Sequence, residues 1–552
     1  MRLLRALGFR GYAPAMLGSA VLFCALFALT QPAFAQVLDD EPENRTVTVQ
    51  PYIEVSQVLS VELTPGNDVL TFTQLAAGID LSVQGRHSAG AASVRYERNI
   101  GYGDNQVDGD TISGIARGSL AIVPRNLTFE AGALASRTRV DGGGGLSSNP
   151  LVREDATSQT YSVFAGPTLQ GELGDIQATG FARIGYNRFE IDNVAADVSG
   201  NPIDVFDDSV TFNAQTRLST RANEPLPVGL GVTTGWFQED ISNLDQRVRD
   251  RFVRADVTVP ITLSLALVGG IGYEDVEISS RDAVRDASGA PLLDQNGRFV
   301  TDPSSPRILA FDIDGLLWDV GVLWRPSSRT SLSATVGERY DSTTYYGNFT
   351  YSPDRRSSLA INVYDAVSGF GGVLNNGLFG LANNFEAVRN PVSGDFGGLV
   401  TGLDGPGLIG TLGSVRSAAF RGRGVSASYQ RQLGRLNAAV AAGYDEREFI
   451  AAAGTVLAPL DGLTDQSYYV TGALNRQLGR RANLVANAYV NWFESGSANG
   501  HVTAFGASAG YNRLLTEKLS ARAAVAVDYF DSEFAAEDFA FATALVGLRY
   551  DF

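Results

Sequence analysis

The sequence predicts an all-β fold, a transmembrane antiparallel up-and-down β-barrel of about 18 to 22 strands with short periplasmic turns and long extracellular loops. Three observations carry this. Apolar and polar residues alternate with period two along most of the chain. Beyond the N-terminus there is no apolar run of the roughly 20 residues that a spanning helix needs. The connections fall into a short and a long set that follow each other along the chain. A membrane-embedded chain without spanning helices has to close into a barrel, because lipid offers open backbone groups no partner.

Residues 1–35 read as a secretory signal peptide: Arg2, Arg5 and Arg10, an apolar run over 16–29, then Ala33-Phe34-Ala35 as a small-x-small cleavage site. A short periplasmic leader, 36–46, follows, and the barrel takes 47–552. Cleavage removes three arginines and no acid, which moves the net charge from −17 to −20. So acidic a chain is not suited to nucleic acid, whose binding rests on cationic contacts to phosphate. Cys24 is the only cysteine and lies within the signal, so the mature chain has no thiol chemistry, disulfide or cysteine metal site. Lys518 is the only lysine; the excess of arginine fits a GC-rich genome as well as a lumen lined with guanidinium groups.

Alternation starts at Val47 and recurs in 69–83, 92–102, 176–186, 210–218, 228–236, 263–273, 316–324, 332–340, 425–433, 436–444, 484–492, 503–511 and 519–529. Short turns are expected at 85–89, 124–126, 172–175, 221–226, 260–262, 325–330, 353–356, 432–435, 477–481 and 513–517. Ten such turns, with a first strand from about Val47 and a last one to Phe552, give an even count of up to about 22. The strands over 341–352 and 357–365 are the weakest of the set. Longer Asp-, Gly- and Asn-rich joins are expected at 140–158, 192–208, 278–311, 366–422 and 447–465.

Strand ends facing the long joins pair an aromatic residue with acids, as in Trp236-Phe237-Gln238-Glu239, Tyr273-Glu274-Asp275 and Tyr444-Asp445-Glu446. An interfacial aromatic girdle below charged loops explains that spacing. The final stretch, 540–552, sets Phe552, Tyr550, Leu548, Val546 and three alanines on one face. Arg549, Gly547 and Thr543 share the other with Leu545 and Phe541. It resembles the terminal strand of bacterial outer-membrane barrels, in which the closing aromatic is the address read by the barrel-assembly machinery. That resemblance makes Tyr550 and Phe552 an assembly signal.

Parity sends Arg95, Glu97, Arg183, Arg217, Arg254, Asp256, Asn487, Asn491, Arg522 and Arg549 into the lumen, with Gln215 and Asn483. A ring this wide cannot be filled by its own side chains, so it conducts water or is obstructed. Energised transporters carry a globular domain ahead of the barrel; with about ten residues before the first strand, an open or loop-gated pore is expected instead. The Gly-rich stretch 366–422 is too long for an ordinary loop; it is either a lumen constriction or a surface flap. The Asp-x-x-Gly fragments at 197–200, 286–289 and 294–297 lack a calcium-loop frame and read as tight turns.

No catalytic, cofactor or metal site is expected. Two mature histidines, His87 and His501, cannot build a metal cluster. His501 with Ser495 or Ser497 and Glu494 is the one hydrolase-type grouping in the chain. The strings 47–57 (VTVQPYIEVSQ), 95–98 (RYER) and 324–332 (WRPSSRTSL) look like a family of outer-membrane barrel porins associated with exopolysaccharide export or exosortase systems. The resemblance implies passage of a polysaccharide or another polar solute, and polysaccharide-export proteins as partners. Outer-membrane lipid and lipopolysaccharide are the partners a barrel implies. The alternative is a structural or adhesive barrel with a blocked lumen and partner-binding acidic loops.

Overall fold

The structure, a computed structural model, describes residues 46–102, 109–140, 146–147, 157–191, 203–223, 226–383, 385–401, 413–497, 500–533 and 538–552. The signal peptide, nearly all of the leader and the 197–200 turn lie outside these residues. Among the described residues one antiparallel sheet holds 23 strands. The two-residue strand Leu146–Ser147 only lengthens one edge of Leu127–Val140, which leaves a ring of 22. The upper end of the expected range is the one realised.

The ring closes where the first strand, Thr46–Thr64, pairs with the last, Phe539–Asp551, from Tyr52 opposite Asp551 to Thr64 opposite Ala540. Every other strand of the ring pairs with its neighbours in sequence, so the chain runs up and down. This leaves no free sheet edge at the closure. All ten short turns fall where alternation placed them, and the two weakest strands form as Ser342–Asp354 and Ser357–Ser368. The opposite rim is less uniform than expected. Thr330–Arg339 and Ser342–Asp354 are joined by Tyr340 and Asp341 alone, with φ of 55° and 54°. That is the left-handed geometry of a tight hairpin turn.

The two faces of the wall differ as parity requires. On the closing strand Val546 is 68% exposed and its neighbour Leu545 is 1% exposed. Exposed aromatics gather in two bands: Trp236, Tyr273, Tyr468 and Trp492 toward the long loops, and Trp324, Tyr351, Tyr429, Tyr511 and Tyr550 toward the short turns. Across strands the rings pair, as with Tyr444 and Tyr468 at 4.8 Å between centroids. No helix of the described residues is long and apolar enough to cross a membrane. A closed ring with an apolar exterior between two aromatic bands is an outer-membrane β-barrel.

Candidate functional site

The lumen is the candidate site, and its main feature is the chain between the strands Ser357–Ser368 and Phe420–Leu433. It begins with a helix, α1 (Phe370–Phe379), and continues into a small antiparallel hairpin, Glu386–Arg389 with Phe396–Thr401. These elements touch inward-facing residues on strands from distant parts of the ring, including Ser93, Ser113, Ser162, Thr211, Glu239, Asn487 and Arg522.

Helix α1 repeats apolar residues at 370, 374 and 378, which puts Phe370, Leu374 and Leu378 on one face. All three are fully buried against Phe189, Phe206, Leu134 and Phe164 of the wall and its loops. Burial of each contributes about 2 kcal/mol. The adjoining face carries Asn375, whose amide donates to Ser162 Oγ at 2.8 Å and Asn187 Oδ1 at 3.0 Å. Its oxygen accepts from Thr211 Oγ1 at 2.5 Å.

Wall residues of opposite charge meet the two ends of α1. At its N-terminus Glu239 Oε2 accepts from the Gly369 and Gly372 N–H groups at 2.8 and 3.1 Å. At its C-terminus Arg117 donates to the carbonyls of Leu378, at 2.7 Å, and Phe379. Arg183 stacks 4.5 Å from the Phe379 ring and pairs with Glu130 at 2.6 Å. An acid at the start and cations at the end of a helix complement its dipole, so the wall fixes the helix in one direction.

The hairpin reaches deeper. Its turn closes with Gly394 N–H donating to Asn390 C=O at 2.9 Å, and Gly394 has φ of 74°. A Cβ there would stand 2.5 Å from Arg95 Nε, so both the backbone and the space call for glycine. Arg389 spreads its guanidinium over the hydroxyls and carbonyls of Ser93 and Ser113 and the Gly394 carbonyl at 2.8–3.2 Å. Asp395 pairs with Arg137 at 2.9 Å. Val392 packs with Val58, Phe72 and Leu545. This contact explains why Leu545 interrupts the polar face of the closing strand.

The charged residues among those expected in the lumen pair with one another across neighbouring strands. Glu54 gathers three guanidinium groups, those of Arg95, Arg522 and Arg549. Arg95 also binds Glu97 at 3.2 Å, and Arg522 donates to Pro391 C=O at 2.9 Å. Arg549 lies 3.7 Å from the centroid of the Tyr52 ring. Asp256 joins Arg217 and Arg254, each at 2.7 Å, and Arg254 continues to Asp319. Asn487 donates to Arg389 C=O at 3.0 Å, and Asn491 accepts from Ser467 at 3.4 Å. The sequence left an open or a loop-gated pore as alternatives; α1 and the hairpin are bonded to the inner side of the wall.

Sequence reasoning missed Glu239, Arg117, Arg389 and Glu54. Parity would have turned Glu239 inward, since it sits three residues from outward-facing Trp236; it was read instead as part of the charged rim. The hydrolase-type grouping does not assemble. The Ser495 and Ser497 hydroxyls engage Arg416, while His501 Nδ1 lies 3.1 Å from Glu533 and its ring stacks on Trp492.

At the outer mouth the return of the segment, from 413, packs against the loops around 203–207, 243–245 and 281–305. Asp204 is buried where they meet, accepting from Asn243 Nδ2 and Phe299 N–H, each at 3.2 Å, and from Ser417 Oγ. Burial pushes its carboxyl up to about 6, against the pull of these hydrogen bonds and of Arg298. Asp286, Asp294 and Asp302 each accept from backbone N–H groups two to four residues on, which is turn chemistry rather than a calcium loop.

No family model and no curated protein matches the chain. Solved structures similar to it include the FrpB iron transporter of Neisseria meningitidis, at 11% identity over 91% of this chain and 82% of that one, with a TM-score of 0.42. The ferric-catecholate import receptor Fiu of Escherichia coli has 12% identity over 90% and 81%, also at 0.42. The siderophore receptor PiuA of Acinetobacter baumannii has 9% over 93% and 82%, at 0.40. The expected kinship with porins of exopolysaccharide export is thereby corrected: no family model supports it, and the similar structures include iron and copper transporters and siderophore receptors. At these scores the likeness assigns no substrate.

Proposed function

We propose that this barrel is a gated outer-membrane conduit for polar solutes, with the segment after Ser368 as its gate. The observation that supports this is the way α1 and the hairpin stand inside the ring, held by separate side-chain contacts rather than continuous with the wall's hydrogen-bond ladder. Such a body can shift without unzipping a strand. The ladder of Arg217, Asp256, Arg254 and Asp319 lines the inner wall and suits a hydrated solute with mixed hydrogen-bonding groups.

Single-channel recording in planar bilayers tests it. The wild type is expected to show brief or small openings, and the Glu239→Ala, Arg117→Ala double variant openings of several-fold longer duration. A second reading, a permanently blocked adhesive barrel, is favoured by the burial of Phe370, Leu374 and Leu378. Silence of both proteins, each folded by heat-modifiable mobility, would sink the conduit and leave that reading.

A further inference from the structure

The ten short turns divide the periplasmic rim into two unlike arcs. Five of them carry ten arginines, Lys518 and two acids: RPSSRT at 325–330, PDRRSS at 353–358, RQLGRL at 431–436, RQLGRRA at 476–482 and RLLTEKL at 513–519. The other five, within 85–262, hold three arginines and three acids. In so acidic a chain the first arc reverses the overall balance, and two of its turns repeat the same string, RQLGR.

The basic arc is continuous. Each turn is bonded to the next through the backbone: Ser352 N–H to Arg329 C=O at 2.8 Å, Gln432 N–H to Arg356 C=O at 2.7 Å, Gln477 N–H to Arg435 C=O at 2.9 Å and Leu514 N–H to Arg481 C=O at 2.8 Å. Neighbouring turns are two strand spacings apart, about 10 Å. That is close to the screening length of physiological salt, so their potentials reinforce one another. All eleven cations are exposed, and none lies within ion-pair distance of a carboxylate among the described residues. Asp354 serves its own turn instead, accepting from Arg356 N–H at 2.7 Å and Ser357 Oγ at 3.0 Å.

Three of the arginines point away from the lumen. Arg431, Arg476 and Arg513 share the outward parity of Tyr429, Val470 and Tyr511 on their strands. Tyr429 and Tyr511 belong to the aromatic band on the short-turn side, two residues above the guanidinium groups, which puts the latter at the headgroups. Leu433, Leu478 and Leu515 stand half exposed among the cations. On the other arc the exposed outward residues next to the turns are apolar: Leu173, Ile176, Val259 and Ile261.

We propose that the turns between 325 and 519 form a docking surface for anionic phospholipid headgroups of the inner leaflet, of the phosphatidylglycerol type. The guanidinium fork matches a phosphate, and exposed leucines beside cations suit the boundary between headgroups and acyl chains. An acidic protein approaching from the periplasm would meet the turn tips; it would have no use for arginines directed sideways into the bilayer below a tyrosine band.

The mature chain has no cysteine, so single labels can be placed cleanly. Leu478→Cys on the basic arc and Leu173→Cys on the other are labelled with bimane and reconstituted in phosphatidylcholine vesicles. These contain brominated phosphatidylglycerol or, in parallel, brominated phosphatidylcholine as quencher. At 478 quenching is expected to favour phosphatidylglycerol by about three- to fivefold, and at 173 to show no preference. Arg431→Gln, Arg476→Gln and Arg513→Gln combined should at least halve the preference at 478, in protein whose folding is checked by heat-modifiable mobility. Equal quenching by the two lipids at 478 would overturn the proposal and leave the arc to an acidic periplasmic protein. The same preference at both positions would overturn it too, as would a preference untouched by the triple variant.

Discussion

The two ends of the lumenal segment are anchored by different chemistry. At the mouth the contacts include two carboxylates that receive neutral donors: Glu239 takes the first N–H groups of α1, and Asp204 takes Asn243, Phe299 and Ser417. At the deep end Arg389 gives its protons to serine hydroxyls and carbonyls, and Asp395 pairs with Arg137. Carboxylates change charge in the acid range and guanidinium does not. Asp395 at the tip has a guanidinium partner in Arg137, whereas Glu239 and Asp204 receive neutral donors, so the mouth is the end expected to respond to pH first.

The largest expected effect breaks the fixed end. Arg389→Met removes the guanidinium that donates to Ser93, Ser113 and Gly394 C=O and leaves these largely buried acceptors short of a partner. It should weaken docking of the tip by about 3–5 kcal/mol, seen as amide exchange in 386–396 faster by at least a hundredfold. An unchanged exchange rate there would show that the apolar contacts of Val392 suffice.

Next comes pH at the mouth. The folded pKa of Asp204, about 6, lies above the ordinary aspartate value of 3.8. The folded mouth thus holds its proton more tightly than the opened one, and its stability is full below about pH 4 and falls as pH rises through 6. The difference approaches about 3 kcal/mol. Limited proteolysis of the loops near 203–207 and 413–419 should be slower at pH 4.5 than at 7.5, and Asp204→Asn should reduce the dependence, with buried Asp208 and Asp465, also shifted upward, accounting for the remainder. Exchange at 386–396 should not follow the same pH curve; if it does, the two ends move as one body.

A smaller effect is expected from Glu239→Gln, which keeps an acceptor for α1 but loses the charge facing the helix dipole. About 0.5–2 kcal/mol should be lost from docking of the helix, measured as exchange of the amides in 372–378. Arg117→Lys, which keeps the charge but gives up the planar fork toward two carbonyls, should fall in the same range or below it.

The wall was legible because its rule is local. Alternation and turn residues placed all ten short turns, and parity put Arg95, Arg217 and Arg549 on the inner face. What escaped is long-range. Nothing near Glu239 announces a helix terminus 130 residues later, and nothing near Ser93 announces Arg389. The alternatives left open for 366–422 could not be decided locally either, since its glycines suit a flap as well as a packed lumenal body. Phe541 and Leu545 were the visible irregularities on the polar face of the closing strand; both turned out to be buried in lumen-side apolar clusters. The tight turn at Tyr340-Asp341 was equally hidden, because it carries none of the glycine that usually marks a two-residue turn.

The pairing of Thr46–Thr64 with Phe539–Asp551 has a consequence in time. The first strand to leave the export channel is the one whose neighbour is synthesised last. For the whole passage of the chain its edge is open to pairing with any other strand in the periplasm, and something must shield it. When the closing strand arrives, Phe552 N–H donates to Pro51 C=O at 3.1 Å.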